Sequence, residues 1–340
     1  MNQEAHFCTR MIEALREPAM VVDGDICVVA ANDAMKVVLP RLKLAEPLAL
    51  SLRSPDVLYA VERVLSGNAA ESTLWRETVP VERIFDIWVS SCFLPDQSQI
   101  AVITFRDLTD ARRLERTRAD FIANVSHELR TPLASLIGFI ETLRGPAKSD
   151  AAARDKFLGI MNEQGARMSR LIDDLLSLSR VEQHEHLRPK DNVDLVAIVA
   201  HTIDGMRILA RQQGVKIVMH GEKEALVLGD RDELIRLVEN LIGNAIKYGS
   251  TPGQESIIDV RVNLCDSEAR LSVRDYGHGI AKDHLPRLTE RFYRADGGSS
   301  GGTGLGLALV KHIATRHRGR LKISSELGKG ACFEVTFPLS

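Results

Sequence analysis

No run of apolar residues in this sequence approaches the roughly 18 to 20 that a helix needs to cross a bilayer, and the N-terminus MNQEAHFCTR has no apolar core behind a basic start. Both absences predict a cytoplasmic chain and leave any recruitment to the inner face of a membrane to a partner. An excess of one charge is also missing. The 44 Lys and Arg residues against 46 Asp and Glu residues give a formal charge of −2, which argues against a polyanion-binding surface and against direct DNA binding. The five cysteines (Cys8, Cys27, Cys92, Cys265 and Cys332) show no CxxC pair and no metal-ligand spacing. That pattern speaks against a zinc site and for small, buried free thiols in a reducing compartment. No internal repeat is evident. What is there, 44% hydrophobic and 26% charged residues over 340 positions, is ordinary globular composition and predicts two or three domains folding in water.

Residues 1–110 mix short β-type runs with turns. Ala19–Val22 and Ile26–Ala30 flank the hairpin signal Asp23-Gly24, and Ile84–Ser90 and Ile100–Phe105 alternate like half-buried strands. A small α/β sensor module is expected. From Asp110 the character changes to DARRLERTRADF, a charged stretch without glycine or proline that suits a connecting helix. Beyond it Ile122, Val125, Leu129, Leu133, Leu136, Ile140 and Leu143 recur at helical spacing. After Arg144-Gly145-Pro146 a second stripe follows in Phe157, Met161, Met168, Leu171, Leu175 and Leu178. Two such helices over 111–183 form an antiparallel hairpin that cannot bury both stripes alone, so a homodimeric four-helix bundle is predicted. Val181–Asn192 reads as a linker, and 190–340 alternates helices and strands as an α+β domain.

Four patterns carry chemistry. In Ser126-His127-Glu128-Leu129-Arg130-Thr131-Pro132, His127 lies off the apolar stripe and should face solvent. A neutral imidazole has one ring nitrogen with a free lone pair, able to attack phosphorus. Glu128 is a candidate base for the other ring nitrogen, and Thr131 sets a hydroxyl one turn on. Pro132 should bend the helix there. Asn240 and Asn244, four apart, share a helix face, where amide oxygens suit a magnesium bridging phosphates and Lys247 balances charge. Asp275-Tyr276-Gly277-His278-Gly279 offers a carboxylate to an exocyclic amine beside glycines that let backbone approach a ligand. Gly301–Leu307 opens a helix whose free N–H groups can hold phosphates.

In this order the patterns resemble the sensor histidine kinase family over residues 111–340, and within it most closely the phosphate-regulon sensor kinases. The resemblance implies that His127 is the phosphoacceptor, that Thr131 serves a phosphatase activity, and that the last domain is a Bergerat-type α/β sandwich binding ATP and Mg2+. It places Asn240, Asn244, Lys247 and Tyr248 in the N box, with Asn244 on magnesium, and Asp275, Gly277 and Gly279 in the first glycine box. Phe292 and Arg294 fall in the F box, and Thr303, Gly304, Leu305 and Gly306 in the second glycine box. It further implies an ATP-dependent protein-histidine kinase of a phosphorelay, partnered by a response regulator with a receiver domain and, for the phosphate regulon, a phosphate-transport accessory protein. The lid that the resemblance implies between Asp296 and Thr303 is short and lacks a basic residue. Residues 10–110 resemble a PAS sensor domain, on Ala31-Asn32-Asp33-Ala34 and Arg106-Asp107-Leu108-Thr109. With no histidine between His6 and His127, nothing there suits a His-ligated haem, and Cys27 and Cys92 are expected to be small core residues.

Two other classes compete. An ATP-driven clamp of the gyrase, MutL or heat-shock chaperone kind carries a glutamate base four residues before the magnesium asparagine, where this chain has the neutral amide of Asn240. A non-catalytic scaffold would not need acceptor and nucleotide patterns that are all intact.

Overall fold

The computed structural model describes residues 2–78, 82–145, 147–148, 150–250, 256–295 and 302–340, with side chains from His6 onward. The chain forms two compact units, 1–122 and 123–340.

The first unit runs α1 (Asn2–Glu13), β1 (Ala19–Val22), β2 (Val28–Ala31), α2 (Asp33–Val38), α3 (Leu48–Ser51), α4 (Pro55–Leu65), β3 (Glu71–Glu77), β4 (Arg83–Phe93) and β5 (Gln99–Asp107). Its antiparallel sheet has the order β2-β1-β5-β4-β3. Strand alternation sends Phe85, Ile87 and Val89 of β4 to one face, where Val57, Ala60, Val61 and Val64 of α4 meet them at helical spacing. Phe85 stacks on Trp75 at 5.4 Å and meets Phe105 edge-on at 5.9 Å. On the other face α1 contributes Cys8 and Ile12 to a second cluster with Val21, Ala30 and Ile100. Asn32, 2% exposed, ties these layers together. Its Oδ1 accepts from the N–H groups of Ala19 and Met35, capping α2, while Nδ2 donates to the carbonyls of Ile12, Leu15 and Glu17 behind α1. The cysteine expectation needs correcting: Cys8 is buried, but Cys27 is half-buried and Cys92 exposed. Cys92 lies near the end of β4, where the strand runs on past the core to the exposed Phe93.

A single helix, α5 (Thr109–Arg144), contains both the charged connecting stretch and the first apolar stripe, with Pro132 buried inside it. Pro146 of the expected helix-ending turn lies outside the described residues. Residues 123–144 pair with α6 (Ala151–Gln183), stacking Phe139 on Phe157 at 5.2 Å. The expected linker therefore begins later, because Val181–Gln183 still belong to α6.

The remainder comprises β6 (Asn192–Asp194), α7 (Leu195–Gln212), β7 (Val215–Gly221), β8 (Leu226–Leu228), α8 (Arg231–Gly249), β9 (Ser256–Cys265), β10 (Glu268–Arg274), a 3-10 turn at Lys282–Arg287, α9 (Gly306–Arg316), β11 (Arg320–Ser325) and β12 (Ala331–Pro338). A five-stranded sheet of order β11-β12-β10-β9-β7, parallel only at β7–β9, backs the helices. In α8 the residues Leu234, Leu237, Val238, Leu241, Ile242 and Ala245 are buried. Alternate residues of the strands are buried as well, among them Val260, Leu271, Val273 and Phe333. This is the α/β sandwich expected for the domain.

Candidate nucleotide site

Helix α8 has a second stripe. Arg236, Glu239, Asn240, Gly243, Asn244 and Lys247 recur at helical spacing opposite its buried face and line a cavity of about 740 Å³. Asp230 caps this helix, its Oδ1 accepting from the N–H groups of Asp232 and Glu233 at 3.1 and 3.2 Å. Asn240 donates from Nδ2 to the Arg236 carbonyl at 2.8 Å, and its Oδ1 lies where a Cβ on Gly306 would stand. The amide of Asn244 has no hydrogen-bond partner among the described residues. Asn244 lines the cavity, and its neutral amide oxygen would suit a magnesium held jointly by one or two side chains and by phosphates. Lys247 donates to the Tyr248 hydroxyl at 3.0 Å.

Asp275 is 4% exposed. Burial pushes its carboxyl above the usual range, and the N–H groups of Gly277 and Ala331, both donating to Oδ1, oppose that shift. With Oδ1 so occupied, Oδ2 is the oxygen left to accept from a ligand donor. The adjacent glycines serve the chain itself. A Cβ on Gly277 would overlap the Tyr248 carbonyl, and one on Gly279, at φ +71°, would overlap that of Glu326. Gly279 lines the cavity and Gly277 does not, so the expectation that both glycines admit a ligand holds in placement for Gly279 alone.

The segment Gly302–Gly306 reaches the same cavity from α9. Gly304 adopts φ +71° and its carbonyl accepts from the N–H of Phe292 at 2.9 Å. Arg294 donates to the Gly302 carbonyl at 2.9 Å. Arg294, Thr303, Gly304 and Gly306 line the cavity, whereas Phe292 supports the turn from outside and Leu305 is fully buried. Gly301 and most of the lid lie outside the described residues.

His127 is exposed on α5, as its position off the stripe predicts. Its neighbour Glu128 departs from expectation. Glu128 is half-buried, and its carboxylate accepts from Arg167 of α6 at 3.1 Å across the hairpin rather than from the imidazole. The Thr131 hydroxyl donates to the His127 carbonyl at 3.2 Å. None of these three lines the cavity.

Several cavity residues were not anticipated. Arg167, Arg170, Asp173 and Asp174 come from α6, and His278, His284 and Tyr293 from the loops around it. Asp174 accepts from the Thr303 hydroxyl at 3.0 Å and stands 3.9 Å from Arg236. Near the end of α6, Glu182 pairs with Arg291 and with His312, and just beyond the helix Glu185 also pairs with His312. The period of α8 could have yielded Arg236, four residues before Asn240. Nothing in the sequence links α6 to the cavity.

Comparison with known proteins agrees with this arrangement. Residues 117–184 match the family model for the His Kinase A (phospho-acceptor) domain. Residues 229–340 match that for the histidine kinase-, DNA gyrase B- and HSP90-like ATPase. The chain is 41% identical over 237 residues to the phosphate regulon sensor protein PhoR of Pseudomonas aeruginosa, covering 68% of this chain and 52% of that protein. It is 37% identical over 246 residues to the sensor-like histidine kinase SenX3 of Mycolicibacterium smegmatis, covering 72% and 63%. The chain thus spans between half and two thirds of these curated relatives. In fold it is similar to the histidine kinase ThkA, solved in complex with the response regulator protein TrrA, with a TM-score of 0.51 and 18% identity over 97% of this chain and 98% of that one. A phospho-acceptor domain followed by a matching ATPase domain, with relatives that are sensor kinases, shows that the chain belongs to the sensor histidine kinase family.

Proposed function

We propose that the protein is an ATP-dependent protein-histidine kinase that phosphorylates His127 and passes the phosphoryl group to an aspartate of a response regulator. The reading rests on one observation above all: an exposed histidine in the HELRTP segment shares a chain with a cavity containing a buried, desolvated Asp275 and an unpaired Asn244 amide. In this reading Asp275 accepts from the adenine amine, and Lys247, Tyr248, Arg294 and the Thr303–Gly306 turn surround the phosphates. A ring nitrogen of His127 attacks the γ-phosphorus, the bond to the bridging oxygen breaks, and ADP leaves with that electron pair. The proton on the other ring nitrogen must be lost, and Glu128 can accept it only by giving up Arg167. Bound magnesium, presented by Asn244, supplies neutralisation of phosphate charge. His127 lies outside the cavity, so transfer requires that the cavity be brought to His127 of the same or of a second copy.

The same reading assigns 1–110 to a PAS-like sensor, 111–183 to dimerisation and phosphotransfer, and 190–340 to ATP binding. It includes a homodimer, a phosphatase activity involving Thr131, and a role in phosphate-starvation signalling, the last supported by the PhoR relative alone. No helix among the described residues is long and apolar enough to cross a membrane.

Incubation with Mg-ATP should label His127 with an acid-labile, alkali-stable phosphate, and His127→Gln should abolish the label while ATP binding persists. Label surviving in that variant would overturn the assignment.

A further inference from the structure

The turn of α8 that carries Arg236 lies beyond every residue assigned to nucleotide above. Position 249, at the C-terminal end of α8, abuts Asp275: a Cβ on Gly249 would lie 2.8 Å from that of Asp275. The adenine end of the cavity is therefore the C-terminal end of this helix. Asn244, Asn240 and Arg236 follow in that order along the axis, four residues apart at about 1.5 Å of rise per residue. Nucleotide bound with its base on Asp275 and its metal on Asn244 points its phosphate chain towards Arg236.

The surroundings of Arg236 fit an anion. Its Nε is buried and has no hydrogen-bond partner among the described residues, and its Nη2 stands only 3.9 Å from Asp174. The other oxygen of Asp174 holds the hydroxyl of Thr303 in the glycine-rich turn, at 3.0 Å. One carboxylate thus occupies both a cationic and a hydroxyl donor at the phosphate end. Burial, the largest influence on Asp174, raises its pKa despite both partners, so it is a costly anion to keep there. The other cavity cations are engaged: Arg167 with Glu128, Arg294 with the Gly302 carbonyl, Lys247 with the Tyr248 hydroxyl. Arg170 is exposed. The segment between Asp296 and Thr303 contains no Lys or Arg.

We propose that Arg236 binds the terminal phosphate of ATP, supplying from α8 the cation that the lid sequence lacks, and that Asp174 of α6 competes with that phosphate for Arg236 and Thr303. The inference rests on the kinase reading and extends it to a residue that distinguishes ATP from ADP. A guanidinium suits this role because its forked donors match phosphate oxygens.

The test compares Mg-ATP and Mg-ADP affinities by calorimetry on the full chain, with melting temperature as a control for folding. Arg236→Gln should weaken ATP about tenfold, the loss of one charge-assisted hydrogen bond, and leave ADP unchanged. Arg236→Lys should recover part of the difference. Asp174→Asn, nearly isosteric, should tighten ATP relative to ADP. Equal changes for both nucleotides, or none, in a folded Arg236→Gln protein would make Arg236 a packing partner of α6 and overturn the proposal. If that variant does not fold, an unchanged ATP-to-ADP ratio in Asp174→Asn overturns it instead. Wild-type protein that binds ATP but is never labelled on His127 counts against the kinase reading alone, since the two affinities are still compared.

Discussion

His317 is 1% exposed and joins two helices through a tautomer that only the neutral ring supplies. Nδ1 lies 2.8 Å from the Ile313 carbonyl and must donate, while Nε2 accepts from the N–H of Asp230, the cap of α8, at 3.0 Å. The tautomer follows from these two partners. Burial, the largest influence, holds the pKa of His317 below that of a free imidazole, with the Ile313 carbonyl and Asp230 opposing and Arg316 reinforcing. Glu233 also faces Nδ1, at 3.9 Å. As pH falls through the unfolded value of about 6.5, the unfolded chain takes up a proton that the folded chain refuses, so stability is lost. Asp174, Glu233 and Asp275 act with the opposite sign. Their carboxyls are raised by burial, and acidification relieves the cost of keeping them ionised. The wild type should therefore lose more denaturant stability than His317→Gln between about pH 7.5 and about 5.5, although the variant is less stable at the upper pH. Parallel pH profiles of the two proteins would show that His317 is not the source.

At the scale of elements, α8 was legible because its two faces differ in chemistry: the helix face expected to carry Asn240 and Asn244 lies within Arg231–Gly249. Strand β3 was missed because Glu71–Glu77 carries polar residues at an edge of the sheet and leaves Leu74 exposed. The continuity of α5 was hidden for another reason: charged and amphipathic stretches can both be helical, and no breaker separates them. At the site, Asn240, Asn244 and Asp275 were readable from local spacing. Asp174, whose partner Thr303 is 129 residues away, depends on tertiary packing that no local pattern encodes. The glycines misled in part, since a small residue serves close backbone approach as readily as ligand approach. Within α5, Thr131 carries its own test. Its hydroxyl caps the His127 carbonyl and is exposed, so it can orient water without taking part in nucleophilic attack. Thr131→Ala should keep autophosphorylation near wild type and lose most phosphatase activity towards the cognate phospho-regulator. Both rates measured on one preparation decide this, and equal loss of the two would leave Thr131 a packing residue.

At the scale of the whole molecule, the hairpin of α5 and α6 leaves much apolar surface uncovered. Leu133, Ile137 and Ile140 of α5 are 47%, 49% and 43% exposed, and Leu158, Ile172 and Leu176 of α6 are 49%, 45% and 53% exposed. No apolar residue of the α5 stripe is buried, whereas Leu171 and Leu178 of α6 are. Fully burying a Leu or Ile side chain contributes about 1.5–3 kcal/mol, so six such residues, half-covered, have a large incentive to find a partner. A two-fold pairing presents the same stripe from each copy and therefore counts every substitution twice. Leu136, half-buried on that stripe, is where a charge would be most damaging, since two carboxylates would face one another in the bundle. Leu136→Glu should sediment as a monomer, or fail to fold, and should lose labelling of His127. Circular dichroism on the same sample separates those two outcomes, because the sandwich of residues 192–340 buries a core of its own. A Leu136→Glu protein that still sediments as a dimer would refute this packing, and one that is folded, monomeric and labelled at the wild-type rate would show that transfer runs within a single chain.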